Sequence, residues 1–407
     1  MALAGGVLWV ACLVGCLREQ SLRNQVGSIP HAARLPVIFL FLFLSLGLIS
    51  GIQHGVPLTV MELGLISYLF PVIGLVIGNR FGSDAKAVRE MMAAFCILNA
   101  ILIGTALLEV AGVRSPVLGG ILMEWYRVRG AGRIPLPSGV YRSPDILGLH
   151  AAHVFAFGLL LTKTASSVRA RRIWFGVVYW GGIILIISAR RKMQGLAAVF
   201  LISFVCLMSI QHFRSGWSGF RGLPFRRAMG GVLLTVLGFT ALLVFAPAHV
   251  VYAESILTEG PARIATTLFS APLVTLRQSG YQGAGLGAAT QGNTAVELGF
   301  VSGWQEDGLS RLVLEGGIVG AIFAVCGGVV LLKRLICRIV TDEAEKRGTC
   351  TIRRVLDAGL LSLIVGNLAC FSISHLHMSG DLVFGALTGF WVGCLYSAKP
   401  GIEEGGI

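Results

Sequence analysis

Three cations in a row, Arg190-Arg191-Lys192, fill a turn between the apolar runs 173–189 and 194–212. Adjacent cations in so short a turn repel one another unless an anion is close. Two kinds of anion suit them. One is a lipid headgroup; the other is a phosphate or pyrophosphate, whose oxygens match the planar guanidinium fork. A second polar set lies in 279–320, the longest stretch that lipid cannot bury. It starts with Gly283-Ala284-Gly285-Leu286-Gly287, passes Trp304-Gln305-Glu306-Asp307, and enters an apolar helix at Leu309 that still carries Arg311 and Glu315. A charge in a membrane helix costs about 2.5–3.5 kcal/mol on insertion scales, so it usually marks a functional position. Arg311 and Glu315 are four apart and share a helix face. They form either an ion pair that locks the loop onto the helices, or an anion ligand and its orienter.

The remaining chemistry-bearing residues have plainer readings. The glycine run is not a GxGxxG fingerprint; it is a tight turn that lets backbone approach a neighbour closely. His375 and His377, with Asp381 following, lack a clear third metal ligand and read as polar groups at the water boundary. His150 and His153 read as satisfied interior histidines, and Glu62 and Asn99 as helix-packing polar groups. The nine cysteines show no paired spacing, so neither a disulfide frame nor a zinc site is expected.

The elements that must position these residues are membrane helices. The 407 residues are 55% hydrophobic and 13% charged, against about 25% charged in soluble domains. Apolar runs recur at 2–17, 36–52, 58–78, 91–112, 146–162, 173–189, 194–212, 228–247, 309–332, 355–374 and 381–398. These predict an all-α polytopic membrane protein of about eleven spans, forming a single integral membrane domain over 1–407. Twenty-two of the 33 Lys and Arg fall in alternate loops, 18–35, 79–90, 163–172, 213–227, 333–354 and the tail. The positive-inside rule makes those loops cytoplasmic. It also accounts for most of the formal charge of +13 without nucleic acid. The opposite set contains two long external loops, 113–145 and 248–308, neither with obvious regular structure, although the second holds enough apolar residues to fold back on the membrane as short helices. The parity puts residue 1 outside, and an upstream span would raise the count to twelve. Eleven basic residues oppose the topology bias: Arg114, Arg127, Arg129, Arg133, Arg142, Arg190, Arg191, Lys192, Arg263, Arg277 and Arg311.

Three segments together resemble the O-antigen ligase and polymerase family. Ser143-Pro144-Asp145-Ile146-Leu147-Gly148 looks like its "NPNxLG" segment, and Ser188-Ala189-Arg190-Arg191-Lys192 is similar to its "SxSRK" turn. The glycine run, then Glu306-Asp307, then Leu312 to Gly320 resemble its long external loop running into "LxExGIxG". The similarity covers roughly residues 35–398, with the same order and the same side of the membrane. It implies a GT-C-like fold of about twelve spans; among the eleven runs counted here the large external loop lies between the eighth and ninth. It also implies transfer or polymerisation of an undecaprenyl-diphosphate-linked glycan onto an acceptor hydroxyl, on a glycan or lipid, at the outer face of a bacterial inner membrane. No cofactor or metal is expected. Partners would be the lipid-linked glycan, the acceptor, membrane lipids, and a chain-length regulator or other polysaccharide-assembly proteins. The ligase branch carries a His-Asn pair before its last loop helix; this chain has Glu306-Asp307 there and no His between Ala253 and Ser374. That favours a polymerase, or a ligase to another acceptor.

Such chemistry needs a base for the acceptor hydroxyl and a counter-charge for the departing diphosphate. Glu306 is the expected base, with Asp307 behind it. Arg191 is the expected catalytic cation, with Arg190, Lys192 and Arg142 as diphosphate ligands. If Arg311 and Glu315 are not a structural pair, they join that set. Trp304 could stack on a sugar, whereas Trp125-Tyr126 reads as an interfacial anchor. The alternative is a non-catalytic component that binds or transports a lipid-linked glycan, flippase-like or a secondary transporter.

Overall fold

The computed structural model describes residues 33–118, 126–129, 132–214, 258–289, 307–345, 351–371 and 382–397. The elements are α1 (Arg34–Gln53), α2 (Leu58–Phe81), α3 (Ala85–Gly104), α4 (Ala106–Val110), β1 (Tyr126–Arg129), β2 (Gly132–Pro135), α5 (Pro144–Thr164), α6 (Val168–Ile187), α7 (Arg191–Arg214), α8 (Ala271–Ser279), α9 (Gly308–Glu345), α10 (Thr351–Phe371) and α11 (Leu382–Tyr396). Among the described residues, eight helices are long and apolar enough to cross a membrane, and Val383–Tyr396 is a shorter apolar helix. The chain is a mainly α-helical, polytopic membrane protein. The predicted spans 2–17 and 228–247 lie outside the described residues, as do Trp125, Trp304, Glu306, His375, His377 and Asp381.

The described residues form two compact units. One takes those from Arg89 to Gly260 and from Thr351 to Gly359. The other takes those from Ala33 to Val88, from Pro261 to Glu345 and from Leu360 to Ser397.

In the first unit α5 packs against α6 and α7. Its start is well specified. Ser143 caps the helix by accepting from the Ile146 amide, Pro144 follows, and Asp145 sits in the first turn, where a negative charge suits the helix dipole. The Trp180 indole of α6 donates to the Ala100 carbonyl of α3 at 2.8 Å. The loop 113–145, expected to lack regular structure, contains a hairpin. Strands β1 and β2 pair antiparallel, with Tyr126 opposite Pro135 and Arg129 opposite Gly132.

The second unit is held by backbone-to-backbone approach. A Cβ on Gly74 would lie 1.9 Å from the Ala386 carbonyl oxygen, and one on Gly78 equally close to that of Phe390. Glycines at four-residue spacing thus seat α2 directly on α11, the small-residue packing that lets membrane helices associate where hydrophobicity cannot drive them. Residues 258–265, a π-turn over Thr266–Ser270 and α8 form the helical part of the loop 248–308 that is described. The expected short helices are therefore present in this stretch.

The segment after α8 is the distinctive feature of this unit. Residues 283–289 are buried, and α9 breaks beside them at Gly317, where φ is 66°. The break severs the helical bond between the Ile318 amide and the Leu314 carbonyl. Both groups are re-used: Ile318 donates to the Tyr281 carbonyl at 3.0 Å, and the Leu314 carbonyl accepts from the Ala284 amide at 2.6 Å. The Leu286 amide donates to the Gly47 carbonyl of α1, and the Ser50 hydroxyl to the Gly283 carbonyl. Non-helical backbone is tolerated among apolar helices when its polar groups are satisfied in this way. Gly285, at φ 107°, must be glycine, because a Cβ there would lie 2.3 Å from the Gly51 Cα. The glycine run is the close-approach turn the sequence suggested, and what it approaches is the chain's own helices.

Candidate functional site

In the first unit, two of the three family-like segments meet. Arg190, 7% exposed, pairs with Asp145 through Nη2 and Oδ2 at 3.0 Å. Gly148 makes the approach possible: a Cβ there would stand 3.0–3.3 Å from Met193, Ser188 and Arg190 side chains. The turn between α6 and α7 is tight. Ala189 holds a positive φ of 49°, unusual for a residue with a Cβ. Its side chain packs with Ile134 and Leu136 from the end of the hairpin, which fixes a conformation that would otherwise relax.

The geometry at the turn concentrates positive charge. The Arg190 carbonyl accepts from the amides of Met193 and Gln194, so Arg190 caps α7, and Arg191 and Lys192 occupy its first turn. Cations there oppose the helix dipole by about 0.3–1 kcal/mol each. The chain offsets them with carboxylates. Asp145 takes Arg190, and Glu259 takes Arg191 through Nη1 at 2.5 Å. The two pairs differ in exposure. The Arg190 and Asp145 side chains are 9% and 19% exposed; those of Arg191 and Glu259 are 29% and 53%. Lys192 is half-buried and Arg142 exposed, two residues before Pro144.

Arg142 is carried by a loop stitched onto α3 and α4. The Glu109 carboxylate accepts from the Ser138 amide at 2.8 Å, and Thr105 Oγ1 from the Val140 amide at 3.0 Å. The Tyr141 hydroxyl donates to Asn99 Oδ1 at 3.0 Å, and burial pushes this phenol well above its ordinary range. Asn99 Nδ2 donates to the Phe95 carbonyl, so Oδ1 is the acceptor. His150 Nδ1, 2.6 Å from that oxygen, therefore carries the imidazole proton. His153 Nδ1 donates to the Leu149 carbonyl. Both histidines are held through Nδ1, as interior groups are expected to be, while His153 Nε2 is buried without a hydrogen bond among the described residues. Asn99 does more than pack helices: it ties the Arg142 loop to α3 and α5.

The other predicted residues fall in the second unit. Arg311 and Glu315 are fully buried and paired, Nε to Oε1, at 3.3 Å. Tyr68 donates its hydroxyl to Glu315 Oε2 at 2.6 Å, and Arg311 Nη2 donates to Ser67 Oγ at 3.2 Å. The guanidinium also lies over the Tyr68 ring, 5.3 Å from its centroid. Of the two readings of this pair, the geometry favours the lock. It joins α2 to the first half of α9, against which Gly283 and Ala284 rest. Asp307 is buried and accepts from the Ser310 amide through Oδ1 at 2.7 Å, so it caps α9.

Sequence reasoning missed Glu259 and the role of Asp145. Asp145 was quoted only as part of a motif, although an acid just after Ser-Pro at a helix start is a cap signal. Nothing in the spacing marks Glu259, which lies 68 residues from Arg191. No family model matches this chain, and no curated protein matches it.

Proposed function

We propose that this protein is a membrane glycosyltransferase that passes a glycan from a polyprenyl diphosphate to an acceptor hydroxyl at the outer face of a bacterial inner membrane, as a polysaccharide polymerase or a ligase. The observation that carries the reading is the Arg190–Asp145 pair, because it brings together two segments on which the resemblance rests and leaves Arg191 beside them at a helix start. Turn 190–193, the start of α5 and Glu259 belong to stretches that the charge bias puts on the same, external side. Their meeting supports the reading, since only stretches on one side could meet in this way.

In this reading Arg191, with Lys192 and Arg142, holds the diphosphate and stabilises the charge that grows on it as the sugar departs. The planar fork of Arg191 suits paired phosphate oxygens, and the amides at the start of α7 add donors. Arg190, committed to Asp145, positions this turn. Glu306 takes the acceptor proton; Asp307 caps the helix that follows. Arg311 and Glu315 keep the glycine segment seated. Attack opposite the leaving group inverts the anomeric centre.

A second reading has one observation of its own. A helix broken at a buried glycine beside a re-entrant segment is a device of secondary transporters. Here the broken backbone is satisfied by the chain itself, which favours a structural use. The deciding experiment supplies purified protein in liposomes with an undecaprenyl-diphosphate oligosaccharide and follows chain growth on a gel. Growth abolished by Arg191→Ala and Glu306→Gln is expected. Growth that both variants leave untouched rejects the residue assignment, and binding without product for any acceptor favours a non-catalytic carrier.

A further inference from the structure

The two arginines of the turn are held by carboxylates of unequal strength, and the inequality has a use. Asp145 sits one residue inside α5, with 19% of its side chain exposed, and its pair with Arg190 belongs to the packing of α5 on α7. Glu259 is more than half exposed, and its Oε2 meets Arg191 Nη1 at 2.5 Å. An exposed pair of this kind shifts an equilibrium only about 1.5- to 5-fold.

We infer that Glu259 is a built-in competitor for Arg191, a carboxylate that occupies the guanidinium until a diphosphate displaces it and that keeps singly charged phosphodiester headgroups off the site. The inference rests on the reading above, that this end of the unit binds a polyprenyl diphosphate. Its logic is competition. A ligand whose competent state is only partly populated binds more weakly by that fraction, whatever its own chemistry. A phosphodiester brings one charge, the same as the carboxylate it must replace. A diphosphate brings more than one charge and enough oxygens to reach Arg191, Lys192 and the α7 amides together, so it retains occupancy after the same loss. Glu259 thereby acts against the most abundant wrong ligand in an anionic membrane, the headgroups themselves.

The test uses the full chain in phosphatidylcholine nanodiscs, titrated with geranylgeranyl diphosphate with and without added phosphatidylglycerol. The natural protein is expected to bind the diphosphate with an affinity that phosphatidylglycerol weakens less than it weakens that of Glu259→Gln or Glu259→Ala. Glu259→Gln and Glu259→Ala are expected to bind it about 1.5- to 5-fold more tightly, and to lose that gain when phosphatidylglycerol is added. Glu259→Asp should stay near the natural protein. Diphosphate binding that is indifferent to all three variants, or natural protein as sensitive to phosphatidylglycerol as Glu259→Gln, overturns the inference and leaves the site reading intact. No diphosphate binding by any of these proteins, each eluting as a single species, overturns the site reading and the inference with it.

Discussion

Removing the Glu315 carboxylate separates a structural lock from a ligand site. Arg311 and Glu315 are both 0% exposed, so each charge depends on the other and on the polar groups of α2. Glu315→Leu leaves a guanidinium with the Ser67 hydroxyl and the Tyr68 ring face, neither of which carries a countercharge. Breaking a buried pair from one side costs about 3–5 kcal/mol, because the surviving charge is stranded. Replacing both partners is different. Arg311→Met with Glu315→Leu removes both desolvation terms and leaves the Tyr68 hydroxyl without its acceptor, a loss of about 1–3 kcal/mol. Adding Tyr68→Phe removes that hydroxyl too, and the triple variant is expected within about 1.5 kcal/mol of the natural protein, as for isosteric apolar swaps in packed cores. Ser67 stays satisfied throughout, since its hydroxyl also donates to the Gly64 carbonyl. The assay is unfolding in mixed micelles with increasing dodecyl sulfate, followed by far-ultraviolet circular dichroism, with the variants compared as a mutant cycle. A Glu315→Leu cost below about 1 kcal/mol, the size of an exposed pair, would refute the reasoning: water would then reach the pair, and Arg311 would return as a diphosphate ligand.

The other predictions test the remaining charges. Asp307→Ala should cost about 0.5–2 kcal/mol and Asp307→Asn nearly nothing in the same unfolding assay, as for a helix cap; Asp307→Asn with native stability and no glycan transfer would instead make it the base. Arg190→Ala is expected to cost about 1.5–3 kcal/mol by stripping the charged hydrogen bond from Asp145, while Arg191→Ala stays within about 1 kcal/mol of native stability and loses chain growth in liposomes. Gly285→Ala forces a Cβ against the Gly51 backbone and should fail to give a monodisperse peak in detergent, whereas Gly195→Ala, with open space around it, should elute normally.

The spans were legible because lipid imposes one requirement, an unbroken apolar run, and nine predicted runs coincide with described helices. Side assignment followed from loop charge alone. The hairpin was less legible, although a signal existed: Tyr126 and Val128 alternate with Arg127 and Arg129, and Gly130 and Gly132 follow at once. The break in α9 also left a trace. Gly316-Gly317 directly follows Glu315, and paired small residues are a known cause of kinks. What spacing could not yield is partnership over distance. Arg311 and Glu315 are neighbours on one helix and could be paired on sight. Arg191 meets Glu259, and Glu315 meets Tyr68, through folding, across 68 and 247 residues.

Burial, rather than residue type, sorts the arginines of this chain. Arg311 has no exposed surface and is attached to Glu315, Ser67 and the Tyr68 ring, so it would have to be dismantled before it could bind anything. Arg190 is nearly buried and bound to a carboxylate on the helix it packs against. Arg191 differs by one position in sequence, yet its partner is the more exposed of the two carboxylates at this turn. One turn of backbone therefore places a nearly buried cation and a more exposed one side by side. The proposed glycan transfer would use both: Arg190 would keep the turn in place when substrate is absent, and Arg191 would hold and then release the diphosphate whose charge it stabilises.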